Sequence, residues 1–166
     1  MSKVMILIGS DSDSPYMLPA IDVLNALAIP HRVHVASAHR TPDRVRSLVE
    51  IARSAGCKVI IAAAGMSAAL PGDVAALTTL PVLGVPVPAQ GTKSPLNDLA
   101  ALLSITQMPP GTPVGALGLD SGAVNAALLA AAIIGTYDND VENRLSHYRK
   151  KKSDSVDITP TFRQKS

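Results

Sequence analysis

Apolar residues cluster in five short stretches that predict β-strands. Residues 4–8 and 59–64 are continuous apolar runs, each followed by glycine, a pattern typical of strands buried on both faces. Residues 31–36 alternate polar and apolar side chains and form the second predicted strand. Residues 81–87 and 114–119 are the fourth and fifth, and the prolines of the fourth indicate either a sheet edge or the ends of a strand.

Between and after these strands, apolar residues recur at helical spacing. The alanine-rich composition of residues 121–136 predicts a buried helix. Because helices and strands alternate, we expect parallel strands with right-handed crossovers, in an open sheet covered on both faces. The predicted helices are 17–27, 43–55, 74–79, 96–105, 121–136 and 138–152.

Three polar or small-residue loops follow the first three strands, at residues 9–14, 37–42 and 65–72. The carboxyl ends of parallel strands meet at one edge of a sheet, where ligands bind in open α/β folds. We therefore expect the three loops to share one pocket.

The second loop carries the most distinctive chemistry. Arg40 offers a guanidinium fork suited to a phosphate, and His39 can exchange a proton near neutral pH. Ser37 and Thr41 add hydroxyls, and Thr41 can also cap the following helix, with Pro42 at its first position. Taken alone, however, the same residues are compatible with an ordinary solvated turn between a strand and a helix.

The first and third loops add polar groups and close backbone approach. Ser10 and its neighbouring serines can cap a helix or, with free backbone amides, favour an anion. Asp11 and Asp13 would repel a phosphate but can bond to ribose or another hydroxylated group. Small residues after Gly65 would let backbone amides come near a ligand. Serine and aspartate are also ordinary cap residues, so a purely structural role stays open for them.

Composition narrows the class of protein. The chain has 166 residues, 47% apolar but only 2% aromatic, so its core must consist of alanine, valine, leucine and isoleucine. The net charge of +2 is too small to argue for nucleic acid. A single cysteine, Cys57, rules out an intrachain disulfide and fits a reducing compartment. Cys57 precedes a strand and is expected in the core or at its boundary.

No signal peptide is expected, because the apolar run 4–8 is short and polar residues follow it. The apolar run 123–134 is too short to span a bilayer. We predict a cytoplasmic protein that binds neither membrane nor nucleic acid. Residues 1–152 would form a single domain and residues 153–166 a polar tail, disordered or draped over a neighbour. Residues 89–95 fit equally a mobile lid or a plain surface loop.

Several motifs together resemble the PurE family of purine biosynthesis, whose members are N5-carboxyaminoimidazole ribonucleotide mutases and the related aminoimidazole ribonucleotide carboxylases. The resemblance covers about residues 3 to 150 in order. Its most specific string is Ser-Ala-His-Arg-Thr-Pro. The motifs are Gly-Ser-Asp-Ser-Asp at 9–13, Ser-Ala-His-Arg-Thr-Pro at 37–42, Leu-Pro-Gly at 70–72, Pro-Val-Leu-Gly-Val-Pro-Val at 81–87, Gln-Met-Pro at 107–109 and Asn-Ala-Ala-Leu-Leu-Ala at 125–130.

This resemblance implies a three-layer α/β/α sandwich with a central parallel sheet, of the flavodoxin or Rossmann-like kind. It implies a homo-octamer with active sites shared between subunits, a C-terminal helix reaching neighbouring subunits, and neither metal nor organic cofactor. The implied substrate is a small-molecule ribonucleotide. The implied reaction moves a carboxylate from the exocyclic nitrogen to carbon 4 of the imidazole, through CO2 held in the pocket.

The resemblance also implies roles for individual residues. His39 matches the catalytic histidine that carries the proton. The phosphate would be bound by Ser10, Ser37 and Arg40, while Asp11 and Asp13 would lie near the ribose and the reacting ring. The third loop would enclose the CO2 or carboxylate. The full predicted binding set is Ser10, Asp11, Asp13, Ser37, Ala38, Arg40, Gly65, Met66, Ser67 and Leu70.

Two departures from the family pattern keep alternatives open. The common mutase pattern in the third loop is Gly-Gly-Ala-Ala-His-Leu-Pro-Gly, and here Ala69 stands in place of the histidine. The carboxylase branch also lacks that histidine, whereas Arg40-Thr41-Pro42 resembles the mutase branch. Residues 89–102 also differ from the family pattern. We expect a mutase; the alternatives are direct carboxylation of aminoimidazole ribonucleotide by CO2, or a non-catalytic nucleotide-binding paralogue.

Overall fold

A computed structural model describes residues 2–88 and 95–157, in which five strands alternate with five helices and a sixth helix follows the fifth directly. A single 3-10 turn, Asp11–Asp13, precedes the first helix. The strands are β1 (Val4–Ile8), β2 (His31–Val35), β3 (Val59–Ala64), β4 (Val82–Pro86) and β5 (Gly115–Ala116). The helices are α1 (Ser14–Ala26), α2 (Pro42–Ser54), α3 (Leu70–Ala76), α4 (Pro95–Thr106), α5 (Gly122–Gly135) and α6 (Asn139–Asp154).

The strands form one parallel sheet in the order β2-β1-β3-β4-β5. This is a doubly wound order, in which the chain builds outward from β1 on one side and then returns to continue on the other. The point of reversal lies between β1 and β3, which pair from Val4↔Val59 to Ile8↔Ala63. Ligands bind beyond the strand ends at such a point, so the topology itself places the expected pocket after β1 and β3.

The pleat of the central strands separates two cores. Val4, Ile6 and Ile8 face the helices α1, α5 and α6, while Met5 and Leu7 face α2, α3 and α4. All five residues of β1 are buried, as are all six of β3. The predicted three-layer α/β/α sandwich with a central parallel sheet is therefore confirmed.

Small side chains let the layers approach closely. Helix α5 buries alanines at helical spacing against the sheet, including Ala123, Ala127 and Ala130. At Gly84 in β4, a Cβ atom would lie 2.4 Å from Ile105 Cγ2 and 2.8 Å from Val114 Cγ1. At this point Ile105 of α4 and Val114 before β5 pack directly on the strand backbone, which helps to fill a core almost without aromatic residues.

Two local predictions differ from the structure, and a third left two possibilities open. The fifth strand is shorter than 114–119, because Gly118 at φ +78° turns the chain away from the sheet. The third helix begins earlier, since Leu70 is buried in the core and a proline is tolerated in a first helical turn. Of the two possibilities left open for the prolines of the fourth strand, strand ends are confirmed. Strand β4 is interior, with Pro81 just before it and Pro86 as its last residue.

Some predictions concern residues outside the described part of the chain. The lid or loop at 89–95 falls almost wholly on residues 89–94, and most of the polar tail falls on residues 158–166.

Helix α6 packs on the α5 side of the core through Val141 and Leu145 and is exposed beyond Tyr148. Within residues 2–88 and 95–157, no helix has the length and apolar character needed to cross a bilayer.

Candidate active site

A cavity of about 410 Å³ lies beyond the carboxyl ends of β1, β2 and β3. The loops after these three strands line it, as expected from the parallel topology. Every predicted site residue except Asp11 lies on its wall. The lining residues are Gly9, Ser10, Ser12, Asp13, Ser37, Ala38, His39, Arg40, Ala64, Gly65, Met66, Ser67, Ala68, Ala69 and Leu70.

The loop after β2 is closed by Thr41. Its Oγ1 accepts a hydrogen bond from the backbone N–H of Ser37 at 2.9 Å and donates to the Ser37 carbonyl at 3.2 Å. The predicted capping role of Thr41 is wrong, because this hydroxyl bonds backward to Ser37 and makes no bond to the first turn of α2. Pro42 does occupy the first helical position.

Ser37 in turn orients Arg40. The Ser37 Oγ accepts hydrogen bonds from the Arg40 backbone N–H at 3.3 Å and, at the limit of such a bond, from Nε at 3.5 Å. The side chains of both His39 and Arg40 are exposed at the cavity. Among the described residues, nothing hydrogen-bonds to the His39 imidazole, so both ring nitrogens are available to a ligand.

The loop after β1 carries hydroxyls and one half-buried carboxylate. Ser12 Oγ donates to Ser10 Oγ at 2.9 Å and lies 3.4 Å from Asp13 Oδ1. Burial raises the pKa of Asp13 above its ordinary value of 3.8, opposed by the Ser12 hydroxyl, the backbone of Ser10 and the charge of Arg40. The predicted serine caps of α1 are wrong, because Asp13 occupies the N-cap position and no side chain caps this helix end.

The loop after β3 brings strained backbone to the cavity. Gly65 has no room for a side chain, because a Cβ atom there would lie 2.9 Å from the Val87 carbonyl oxygen. Met66 and Ala68 adopt left-handed φ values of +56° and +32°, which non-glycine residues rarely do. The Ala68 N–H donates to the Gly65 carbonyl at 3.0 Å and closes the turn. Ala69 lies on the cavity wall.

A second lobe of about 340 Å³ adjoins the first and shares Gly9, Ser10, Ser37 and Arg40 with it. Asp11 lies in this lobe, and its Oδ1 accepts a hydrogen bond from Ser14 at 3.3 Å. The other residues proper to this lobe are Val35, Thr41 and Arg44. Sequence reasoning missed Arg44, whose only signal is its position in the first turn of the helix that follows the histidine loop.

We also searched the described residues for side chains that could bind a metal ion together. In the part of the chain that the structure describes, no group of three or more His, Cys, Asp or Glu side chains could hold a metal ion. Cys57 is buried away from the cavity, where its Sγ donates to the Ser2 carbonyl at 3.4 Å. Burial raises the pKa of this thiol above its ordinary value.

Comparison with known proteins agrees with this geometry. A family model described as AIR carboxylase matches residues 3–155. The N5-carboxyaminoimidazole ribonucleotide mutase of Escherichia coli (strain K12) is 47% identical over 156 residues, covering 93% of this chain and 90% of that protein. The mutase of Brucella melitensis is 48% identical over 159 residues, covering 95% and 96%.

Solved structures show the same fold. The crystal structure of Treponema denticola PurE superposes with a TM-score of 0.81 at 28% sequence identity, covering 91% of each chain.

Proposed function

This chain belongs to the AIR carboxylase family, and we propose that it is an N5-carboxyaminoimidazole ribonucleotide mutase of de novo purine biosynthesis. Its product would be 4-carboxy-5-aminoimidazole ribonucleotide. The observation that carries the proposal is the meeting of three loops in one cavity, whose wall includes His39, Arg40 and the loop that begins at Gly65. Relatives 47–48% identical over more than nine-tenths of this chain carry the mutase name.

The reaction sets a clear demand on the protein. The bond between the exocyclic nitrogen and the carboxylate breaks, and a bond from carbon 4 to the same carboxyl carbon forms. The nitrogen therefore gains a proton and carbon 4 loses one. His39 fits this transfer, because its imidazole is exposed in the cavity and can both accept and donate a proton.

The remaining residues divide into groups by chemistry. Ser10, Ser37 and Arg40 would hold the substrate phosphate through hydroxyls and a guanidinium. Asp13 would lie near the ribose or the ring, where its carboxylate can accept a hydrogen bond. Asp11 lines the second lobe and not the first, so we assign it a contact with the part of the ribonucleotide that enters the second lobe.

The third loop would retain CO2 between the two half-reactions. Gly65, Met66, Ser67 and Leu70 line the cavity with small or apolar groups, and Ala38 continues that wall from the second loop. If the bound substrate covered this wall and excluded water, both the escape and the hydration of CO2 would be hindered. The tight fit of Gly65 against the Val87 carbonyl keeps this loop close to the end of β4.

Ala69 supports a second candidate function, the direct carboxylation of aminoimidazole ribonucleotide. This residue lines the cavity, where the common mutase pattern places an imidazole that would lie close to the carboxylate. With a methyl group instead, the pocket offers CO2 an apolar surface. The mutase remains the better supported proposal, because the named relatives at 47–48% identity are mutases.

One assay separates the candidates. Purified protein is supplied with the N-carboxylated ribonucleotide without bicarbonate, and in parallel with aminoimidazole ribonucleotide under high CO2. Fast conversion of the first, with little CO2 released, is the expected result. Efficient use of the second alone would assign the direct carboxylase, and binding without turnover of either would assign a non-catalytic paralogue.

The family resemblance also supports proposals on the assembly, location, cofactor need and domain organisation of the protein. We propose a homo-octamer in which α6 reaches neighbouring subunits, a cytoplasmic location, and a reaction that needs neither metal nor organic cofactor. We also propose one domain over residues 1–152 with a polar tail beyond it. These assignments rest on the family resemblance and on the composition of the chain.

A further inference from the structure

The second lobe of the cavity holds two arginines. Arg40 lies between the lobes and lines both, while Arg44 lines only the second. Arg44 belongs to the first turn of α2, and Arg40 precedes that helix in the histidine loop. The two guanidinium groups therefore reach one space from neighbouring backbone segments.

The Arg44 guanidinium is available to a ligand. Its Nη1 donates to the Val35 carbonyl at 3.4 Å, which leaves most of the five N–H donors of the group unused. No carboxylate in residues 2–88 or 95–157 forms an ion pair with it. The bond to Val35 also directs the side chain toward the end of β2, where the lobe opens.

Asp11 is the acidic group that faces this lobe. Its Oδ1 accepts a hydrogen bond from the Ser14 hydroxyl, which orients the carboxylate toward the start of α1. Neither Arg40 nor Arg44 forms an ion pair with it among the described residues. Two guanidinium groups and one carboxylate leave the lobe with a net positive charge, and the Ser10 and Ser37 hydroxyls add donors.

We propose that Arg44 is a second phosphate-binding arginine, and that the substrate phosphate occupies the lobe between Arg40 and Arg44. This inference rests on the proposed function, since it takes the ligand to be a ribonucleotide. The imidazole ring would then lie in the first lobe, beside His39 and the Gly65 loop. A phosphate monoester carries close to two negative charges near neutral pH, so a second guanidinium matches its charge better than Arg40 alone.

The test compares Arg44→Gln with Arg46→Gln. Arg46 is two residues further along α2, is exposed and lines neither lobe, so its variant controls for the loss of one charge on this helix. We expect Arg44→Gln to raise KM for the N-carboxylated ribonucleotide roughly tenfold, as for a lost charge-assisted hydrogen bond, with kcat little changed. Arg46→Gln should leave both constants near those of the wild type.

A binding measurement tests whether Arg44 contacts the phosphate rather than another part of the ligand. Calorimetric titration with ribose 5-phosphate should show the same loss of affinity for Arg44→Gln, whereas aminoimidazole riboside, which lacks the phosphate, should bind both proteins alike. Arg44→Lys keeps the charge and should recover part of the lost affinity. Equal KM values for the two glutamine variants, or an equal loss with the riboside, would overturn the proposal.

This design separates the subsite from the reaction. If the wild-type protein bound ribose 5-phosphate through Arg44 and yet converted neither candidate substrate, the proposed function would fail while the phosphate subsite stood. If turnover were normal and Arg44→Gln behaved as Arg46→Gln, the phosphate subsite would fail while the proposed function stood.

Discussion

At the scale of single residues, His39 is the group on which the proposed chemistry depends. We expect His39→Asn to lower kcat at least a hundredfold, because a positioned general acid or base contributes about 10²–10⁴ in rate. Binding of the ribonucleotide should change little, since the phosphate contacts remain.

Steady-state kinetics and calorimetry measure the two effects of this substitution. His31→Asn is the matched control, because His31 lies at the start of β2, bonds to the Ile29 carbonyl and lines neither lobe, and this variant should be as active as the wild type. Near-normal activity of His39→Asn would remove this residue from the mechanism.

The carboxyl group of Asp13 makes the stability of the ligand-free protein depend on pH. Burial raises its pKa in the folded protein, so its ionisation disfavours the folded state as pH rises through that pKa. We expect Asp13→Asn to raise Tm of the ligand-free protein at about pH 7, and this gain should vanish below the ordinary pKa of 3.8. The group is partly exposed, so solvent screening keeps the gain small.

Thermal unfolding over a range of pH tests this linkage. Asp22→Asn removes an exposed carboxylate of α1 and serves as the control. A gain in Tm that persisted unchanged at low pH would show that desolvation of the Asp13 carboxylate is not its cause.

At the scale of elements, the loop after β2 depends on Thr41. Thr41→Val removes both hydrogen bonds to Ser37 and leaves a part-buried N–H without its partner. We expect a loss of about 1–3 kcal/mol in the free energy of unfolding, together with a higher KM, because Ser37 and Arg40 lose their support.

Denaturant unfolding and kinetics provide the two measurements for Thr41→Val. Thr136→Val is the control, since that exposed hydroxyl donates to the Ile133 carbonyl and water can replace it. If both variants lost the same stability and KM stayed constant, the loop would not depend on Thr41.

At the scale of the whole molecule, a row of exposed leucines on α4 is consistent with the proposed octamer. Leu96, Leu99 and Leu103 lie on one face of α4 with 76%, 46% and 44% of their surface exposed, an apolar row of the kind that subunit contacts cover. We expect the purified protein to have a mass near eight times 17.2 kDa by light scattering. A stable monomer with full activity would contradict the octamer and the sharing of sites between subunits.

Much of the fold follows from local pattern. Buried strands such as β1 and β3 need apolar residues on both faces, so their runs are visible without any tertiary knowledge. Element ends were harder to predict. Helix α3 begins at Leu70 because that side chain is buried in the core among residues distant in sequence. Strand β5 ends early because Gly118, with a φ of +78°, turns the chain, and the sequence alone does not reveal that φ value.

The sequence by itself determined the alternation of strands and helices, the three loops at strand ends and the residues that carry the chemistry, because periodicity and side-chain type are local properties. Only the tertiary structure decided the strand order, the meeting of the three loops in one cavity and the presence of Arg44 in the second lobe beside Ser10 and Asp11. Such features arise where separate segments meet, and the distance between two side chains in space is not written in their spacing along the chain.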